Sequence, residues 1–266
     1  MNIYSTVDFK NIDKIIALFN SVLINSSKND LKFYILTDKI EELPFIPDKV
    51  KEILTIREAE FDKKWSKLLF NFNDKFYKGS SWCKHDMNFA RFLFFKSFPE
   101  VDRVIYLDWD MVVLKDIFNL ESYYNDKKNM IVATTGLDTI RTNIFTDDFR
   151  AKISPYNAVR KINAVIDIPK YKLISDNLNI NINDIIKING FNAGFYIVSN
   201  SHFEEKKLMD LINRLTKVQE KFNCFNFGTQ VVMNLMNLKN RVFVEKNWNN
   251  LPNKKNMNEI NIVHYN

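Results

Sequence analysis

The feature that most constrains the fold is the run over residues 103–114, Arg-Val-Ile-Tyr-Leu-Asp-Trp-Asp-Met-Val-Val-Leu. Its apolar, β-branched part is too short for a helix and is bounded by charged residues, which predicts a buried strand. Residues two apart on an extended chain point the same way, so the carboxylates of Asp108 and Asp110 are predicted to converge, with Trp109 turned away. Converging carboxylates repel each other unless a positive group lies between them, and a hard divalent cation meets that need.

The strand before the acid pair strengthens the evidence that the pair binds a ligand. An Asp-x-Asp pattern occurs by chance on many loops and is weak evidence by itself. Acids at the end of a core strand have no structural reason to be there, whereas open parallel sheets bind their ligands at that edge. The pattern therefore indicates a ligand-binding edge at Asp108 and Asp110.

The order of the predicted elements indicates an α/β fold. Residues 2–7 and 31–37 have strand patterns and flank an amphipathic helix over 11–25, which is the spacing of a right-handed parallel crossover. We therefore expect a Rossmann-like, mostly parallel central sheet flanked by helices. The other predicted elements are a short strand over 50–56, helices over 61–70, 86–97, 202–222 and 227–236, a turn and strand within 189–198, and strands over 130–135, 241–244 and 260–265.

Composition bears on domain number, partners and compartment. The 266 residues are 46% apolar and 26% charged, and no Gly/Pro/Ser-rich linker interrupts them, so we expect one domain over residues 1–266. The formal charge of +6 suits an anionic ligand, but the lysines form no dense block, which argues against nucleic acid. No apolar run is long enough for a membrane span, and no basic-then-apolar leader precedes the first strand, so we expect a cytoplasmic protein without a transmembrane segment.

Taken in order, these segments resemble glycosyltransferase family 8, the retaining nucleotide-sugar transferases that include glycogenin and bacterial galactosyltransferases. The resemblance covers nearly the whole chain, and the ordered set is far more specific than the acid pair alone. The matching segments are the first strand, 31–38, the helix at 88–93 with Arg91, 103–113, 191–194, Gln230 with Asn234, Trp248 with Asn249, and 262–265. The resemblance implies a single domain of GT-A fold and the transfer of a hexose, glucose or galactose, from a UDP-sugar.

The resemblance also implies a metal cofactor. Asp108 and Asp110 would bind Mn²⁺ (or Mg²⁺), and His264 would supply a third ligand. Two carboxylates and an imidazole suit such an ion and leave positions open for diphosphate oxygens. The metal would neutralise the charge that develops on the departing nucleoside diphosphate.

Further site residues follow from the same resemblance. Arg91 would reach the donor sugar or hold the acid pair in place, and Gln230 would lie beneath the anomeric carbon. With Asp138, these two form the expected catalytic set. The expected donor-binding set is Ser5, Thr6 and Asp8 at the uridine, Asn192 (with Asp138) at the sugar hydroxyls, Ala193 and Gly194 where the backbone approaches the sugar, and Asp108, Trp109 and Asp110.

Two departures from the family pattern bear on mechanism. The run after the first strand is Val-Asp-Phe-Lys, so the aromatic stack on the base passes to Phe9 or is lost. Thr229 stands where the family has an acid before the glutamine. No carboxylate of the matched motif is then free to attack the sugar, and we predict a front-face route in which the leaving phosphate takes the acceptor proton.

The acceptor side is less specified by sequence. Residues 139–187 form a polar, Asn-rich stretch with weak periodicity, and we interpret so long a connection as an acceptor-side insertion or lid, with which disorder in the absence of ligand would be consistent. The acceptor is a glycan, a lipid or a protein, self-glycosylation included, and the oligomeric state is open, a homodimer included.

Two alternative functions remain open from sequence. One is a non-catalytic nucleotide-sugar-binding module, because a fold does not guarantee chemistry. The other is a haloacid dehalogenase-type phosphatase, whose Asp-x-Asp-x-Thr/Val motif fits residues 108–112. That family carries its motif close to the N-terminus, which argues against this alternative.

Overall fold

Strands and helices alternate along most of the chain. The structure, a computed structural model, describes residues 1–41, 43–76, 86–134, 168–225, 228–250 and 257–265. The strands are β1 (Asn2–Val7), β2 (Lys32–Thr37), β3 (Leu54–Glu58), β4 (Arg103–Leu107), β5 (Met111–Val113), β6 (Ile131–Thr134), β7 (Phe195–Ser199), β8 (Arg241–Val244) and β9 (Ile262–His264). The helices are α1 (Ile12–Asn25), α2 (Asp48–Lys51), α3 (Lys63–Phe76), α4 (Met87–Ala90), α5 (Phe94–Ser97), α6 (Glu121–Asp126), α7 (Ile168–Leu178), α8 (Ile182–Lys187), α9 (Glu205–Phe222) and α10 (Gly228–Met236).

A seven-stranded sheet in the order β3-β2-β1-β4-β7-β6-β8 forms the centre. β1, β2, β3 and β4 are parallel, and β6 is parallel to β8. β7 lies antiparallel between β4 and β6, so every strand of this sheet except β7 runs in one direction. The predicted mostly parallel α/β sheet is confirmed, and its first unit is the expected β1-α1-β2 crossover.

Alternate side chains of the inner strands enter two separate cores. Tyr4, Tyr106 and Tyr196, on β1, β4 and β7, lie in the core shared with α9 and α10. Their chain neighbours Ile3, Ile105 and Ile197 lie in the core shared with α1. All six side chains are at most 1% exposed. A sheet buried on both faces explains why these strands are apolar at nearly every position.

A second, two-stranded sheet lies beside the carboxyl end of β4. β5 pairs antiparallel with β9, with Met111 opposite His264. The extended chain predicted after the acid pair is therefore present, but it belongs to this small sheet and not to the central one. The pairing brings a histidine from far along the chain next to Asp108 and Asp110.

The helix predicted over residues 86–97 is two short helices, α4 and α5. The N–H groups of Phe92 and Leu93 donate to the carbonyls of Phe89 and Ala90, three residues back rather than four. This tight turn begins at Arg91, immediately after α4. The prediction of one continuous helix is wrong because a turn was hidden inside an apolar run.

Part of the polar stretch at 139–187 has regular structure that its weak periodicity did not predict. Ile174, Leu178 and Ile185, on α7 and α8, are fully buried in the core beside α9. The spacing of four between Ile174 and Leu178 is the helical signal, and it is diluted by surrounding polar residues. Residues 139–167 lie outside the described part of the chain.

A transmembrane helix must be both long and apolar. In the part of the chain that the structure describes, no helix is both long and apolar enough to cross a membrane. The 18 residues of α9 include many lysines and acids on its polar side.

Candidate active site

The two acids occupy a turn between β4 and β5, not an extended strand. The Asp108 N–H donates to the Gly194 carbonyl at 2.9 Å, and the Tyr265 N–H donates to the Asp110 carbonyl at 2.8 Å. The turn is thus held between the loop before β7 and the end of β9. The carboxylates converge as predicted, but the geometry that brings them together is this turn, not strand alternation.

Asp108, Asp110 and His264 form a compact group. One ligand atom of each lies within 4.8 Å of the others. His264 Nε2 is 3.2 Å from Asp110 Oδ1 and 3.9 Å from Asp108 Oδ2. The imidazole is 5% exposed. These three side chains could hold a metal ion.

A chain of amides fixes the proton on His264. The Gly194 N–H donates to Asn192 Oδ1 at 2.8 Å, and Asn249 Nδ2 donates to the same oxygen at 3.3 Å. Asn249 Oδ1 therefore faces His264 Nδ1, at 2.9 Å, and keeps the ring proton on that nitrogen. In a neutral ring, Nε2 then directs a lone pair towards the acids.

With the ring neutral, this arrangement needs a positive group between Nε2 and the carboxylates. Asp110 Oδ1 is buried and, with the proton on Nδ1, has no hydrogen-bond partner. Burial acts to lower the pKa of His264, but a protonated Nε2 could donate to Asp110 and is attracted by the charges of both acids, so the pKa is raised. Carboxylate and imidazole donors suit a Mn²⁺-like ion, and the residues present fit such a metal.

Arg91 lies against the acid pair and is 5% exposed. Its Nη2 donates to Asp108 Oδ1 at 3.3 Å, and its Nη1 donates to the Ala193 carbonyl at 3.0 Å. The guanidinium lies over the Tyr106 ring, 4.7 Å from the centroid. Of the two roles expected for Arg91, this position corresponds to holding the acid pair.

Tyr106 is a residue of the site that the sequence analysis missed. Its hydroxyl donates to Asp108 Oδ1 at 2.7 Å, and its ring stacks on Tyr196 with centroids 4.6 Å apart. Burial raises the pKa of Tyr106 well above its usual range, so the hydroxyl keeps its proton. The available signal was strand alternation, because Tyr106 and Asp108 are two residues apart at the end of β4.

Gly194 lies where only a glycine fits. A Cβ at this position would be 2.6 Å from His264 Cε1 and 2.9 Å from both Asp108 Oδ2 and Met111 Cε. The expected reason for small residues here was close approach to the sugar. The structure adds that the backbone approaches the histidine and the acid themselves.

Helix α10 brings Gln230 and Asn234 to the same loop. The Ala193 N–H donates to Gln230 Oε1 at 3.4 Å. Asn234 is fully buried, and its amide bonds both the N–H and the carbonyl of Phe191, at 2.9 and 2.8 Å. The spacing of four places both amides on one face of the helix.

The residues expected at the uridine are only partly at the sheet edge. Ser5 and Thr6 are 0% and 5% exposed, and their hydroxyls contact the Leu107 carbonyl at 2.7 Å and the Tyr106 hydroxyl at 3.3 Å. These side chains contact β4, because β1 is an inner strand buried on both faces, and their contact with uridine stays a prediction. Asp8, just after β1, is partly exposed.

The sequence also places Phe9, Trp109 and Asp138 at the site. Phe9 is 9% exposed and belongs to the core under α1, which leaves its ring little surface for a nucleobase. Trp109 is partly exposed, and the Lys14 ammonium lies 4.5 Å from its ring centroid. Asp138 lies outside the described residues.

Comparisons with known proteins agree with this architecture. The family model described as Glycosyl transferase family 8 matches residues 2–266. None of the curated protein sequences compared with the chain matches it. Galactosyltransferase LgtC, in complex with donor and acceptor sugar analogues, is similar over 100% of this chain and 87% of its own, with 13% identity and a TM-score of 0.62.

Two other solved structures cover the whole chain. The apo form of mouse xyloside xylosyltransferase 1 is similar over 100% of this chain and 98% of its own, with 12% identity and a TM-score of 0.53. The apo structure of the bifunctional glycosyltransferase WbbM is similar over 100% of this chain and 45% of its own, with 17% identity and a TM-score of 0.55. At such identities the likeness concerns the fold.

Proposed function

Because the chain belongs to glycosyl transferase family 8 and is a glycosyltransferase, we propose that it transfers glucose or galactose from a UDP-sugar to an acceptor, with metal dependence and retention of configuration. The central sheet has the GT-A arrangement. The observation that carries the proposal is the group of Asp108, Asp110 and His264, whose ligand atoms lie within 4.8 Å of one another. That group suits a cation, and a UDP-sugar brings an anionic diphosphate to share it.

Asp108, Asp110 and His264 would hold the ion, Mn²⁺ or Mg²⁺. Once bound, it supplies positive charge against the nucleoside diphosphate as the sugar leaves. Arg91 and Tyr106 both bond Oδ1 of Asp108, which leaves Oδ2 towards the histidine. Hydrogen bonds of this kind orient metal ligands and raise affinity for the ion.

The amide that orients His264 gives a first prediction. Asn249→Ala removes the acceptor at Nδ1, and loss of such an orienting partner typically weakens metal binding by about 10–100-fold. We expect a decrease in this range for Mn²⁺, measured by calorimetric titration. Asn250→Ala, one residue further along the chain, is the control. Equal Mn²⁺ affinity of Asn249→Ala and the unmodified protein would contradict the assigned role.

For the nucleotide, we propose that the base stacks on Trp109. The indole lies two residues after the end of β4 and is partly exposed, whereas Phe9 is buried. The ammonium of Lys14, an exposed residue, covers the ring, and a planar base could take its place. Asp8, at the tip of β1, would accept a hydrogen bond from the uracil ring.

Trp109 gives a second prediction. Stacking of a base on an aromatic side chain contributes about 1–3 kcal/mol, so Trp109→Ala is expected to raise the KM for the UDP-sugar about tenfold. Trp109→Phe keeps a ring and should retain most of the affinity. The measurement is the KM for UDP-glucose or UDP-galactose at saturating Mn²⁺. An unchanged KM in the alanine variant would show that Trp109 does not contact the nucleotide.

For the sugar, Asn192 would contact the hydroxyls, Ala193 and Gly194 would let the backbone approach closely, and Gln230 would lie beneath the anomeric carbon. The matched motif has Thr229 and Gln230, neither of which is a carboxylate. This supports the front-face route, in which the acceptor oxygen attacks as the phosphate leaves and that phosphate takes the acceptor proton. The sugar contact of Asp138 remains a prediction. A glycosyl ester trapped on a carboxylate of this chain would contradict the route.

We assign residues 139–187 to the acceptor side of a single domain over 1–266. α8 leads directly into the loop that carries Asn192 and Gly194, so this segment adjoins the proposed sugar site. The acceptor would be a glycan, a lipid or a protein, the chain itself included, and a homodimer is compatible with the proposal.

The test of the function is a panel of UDP-sugars with Mn²⁺. UDP release is measured with and without EDTA, and mass spectrometry of the protein detects self-glycosylation. UDP-glucose or UDP-galactose should be consumed, and EDTA should stop the reaction. UDP binding without any release would favour a non-catalytic module. Hydrolysis of p-nitrophenyl phosphate without sugar-nucleotide consumption would favour a phosphatase.

A further inference from the structure

A second cleft lies at the sheet edge opposite to the Asp–Asp–His group. Its volume is about 510 Å³, within the range of small-molecule sites. Its lining includes Ser201 and His202, which follow β7, and Asn129 and Asn240, which directly precede β6 and β8. The acids lie at the other end of these strands, and the length of β7, roughly 17 Å at 3.4 Å per residue, separates the two sites.

Neutral hydrogen-bonding groups form much of the cleft lining. An asparagine amide offers a donor and an acceptor side by side, which matches neighbouring hydroxyls of a sugar ring. The four asparagines of the lining are Asn129, Asn179, Asn237 and Asn240. Buried leucines form the base of the lining and add little accessible aliphatic surface. Leu178, Leu211 and Leu235 are 0%, 6% and 4% exposed.

The charged side chains of the lining neutralise one another. Lys207 pairs with Glu204 at 2.6 Å, and Arg214 pairs with Asp210 at 3.1 Å. Burial lowers the pKa of His202, so its ring is neutral at pH 7. Lys207 and Arg214 are each paired with an acid, so the lining does not favour an anionic ligand such as a nucleotide.

Asn237 provides an independent indication of a ligand. It is 6% exposed, and its Nδ2 has no hydrogen-bond partner among the described residues. Native proteins rarely leave a buried donor unsatisfied, and such a group calls for a partner from outside the chain. A ligand hydroxyl entering between Asn237 and Asn240 would supply the missing acceptor.

We propose that this cleft binds a neutral oligosaccharide, at a site separate from the donor site. Binding there requires neither the metal nor the nucleotide. α10 spans the two sites, with Gln230 near one end and Met236, which lines the cleft, at the other. If the proposed transfer function holds, the cleft would anchor a part of a glycan acceptor remote from the reacting hydroxyl.

Saturation-transfer NMR on the full chain tests this proposal. The probes are neutral oligosaccharides built from glucose, galactose and N-acetylglucosamine, with inorganic phosphate as the anionic comparison. Saturating UDP and Mn²⁺ occupy the nucleotide part of the proposed transfer site, and variants of the cleft show whether a remaining oligosaccharide signal comes from the cleft. Asn237→Leu and Asn240→Ala alter the cleft. Asn177→Ala, an exposed asparagine on α7 outside the lining, is the matched control.

We expect an oligosaccharide signal that persists with UDP and Mn²⁺. The affinity for the oligosaccharide should be at least about tenfold lower in both cleft variants, because each loses a hydrogen-bonding partner. Asn177→Ala should bind as the unmodified chain does. Absence of binding by every oligosaccharide, equal binding by the cleft variants, or displacement by phosphate would each overturn the proposal. These outcomes do not depend on transfer activity, so failure here is distinguishable from failure of the proposed function.

Discussion

Asp110→Asn is expected to reduce kcat/KM for sugar transfer by about 10³-fold, because charge stabilisation by a bound metal is worth several kcal/mol and each 1.36 kcal/mol is tenfold. The change keeps the shape of the side chain and removes the negative charge that faces His264 Nε2. Mn²⁺-dependent binding of UDP should be lost with it. Asp108→Ala should have a similar effect on activity and binding.

The fold should survive the substitution at position 110. Asp110 is held through its backbone carbonyl, which the variant keeps, and its buried Oδ1 has no partner to lose. Circular dichroism and thermal melting are the controls for folding. Asp126→Asn, at an exposed helix end, is the matched acid-to-amide control and should be fully active. Normal turnover by Asp110→Asn would mean that the metal assignment is wrong.

Gly194→Ala is expected to be nearly as damaging to activity although it adds only one methyl group. That methyl would lie 2.6 Å from His264 Cε1 and 2.9 Å from Asp108 Oδ2, so both of these proposed metal ligands must shift. Overpacking of this kind costs about 1–3 kcal/mol of stability. Because ligand geometry is disturbed directly, Mn²⁺ affinity and transfer should fall at least about tenfold.

Two measurements separate the ligand effect from general damage. Ala193→Gly changes the same loop in the opposite sense and should retain Mn²⁺ binding. The melting temperature of Gly194→Ala without metal reports the packing cost, and a Mn²⁺ titration of the same variant reports the ligand geometry. A variant that binds Mn²⁺ normally would show that the loop relaxes away from His264, and the steric argument would fail.

The sequence predicted the bounds of strands and helices best where a pattern is repeated along one element. Residues 2–7 and 241–244 are strands with the predicted bounds, and the apolar spacing in the first helix is confirmed. These elements are governed by local periodicity and burial. The order of the matched segments also predicted the family, which the family match over residues 2–266 confirms.

Side-chain geometry at the site was less predictable. The alternation rule was applied to Asp108 and Asp110, but Asp110 lies in the turn after β4, and the side chains that meet at the end of the strand are those of Tyr106 and Asp108. Arginine is usually solvent-facing, and nothing local in the sequence indicates that Arg91 is buried against an acid. Both facts depend on contacts between distant segments, which a single sequence does not display.

The pairing of β5 with β9 ties the assembly of the site to the integrity of the small sheet. Each of these strands has three residues, so the ladder alone gives weak protection against local opening. A ligand that binds only the closed form shifts that opening equilibrium in proportion to its concentration over its dissociation constant. Metal binding should therefore slow amide hydrogen exchange at residues 262–264. In a cell that lacks the ion, this segment would unfold locally more often and be more susceptible to proteolysis.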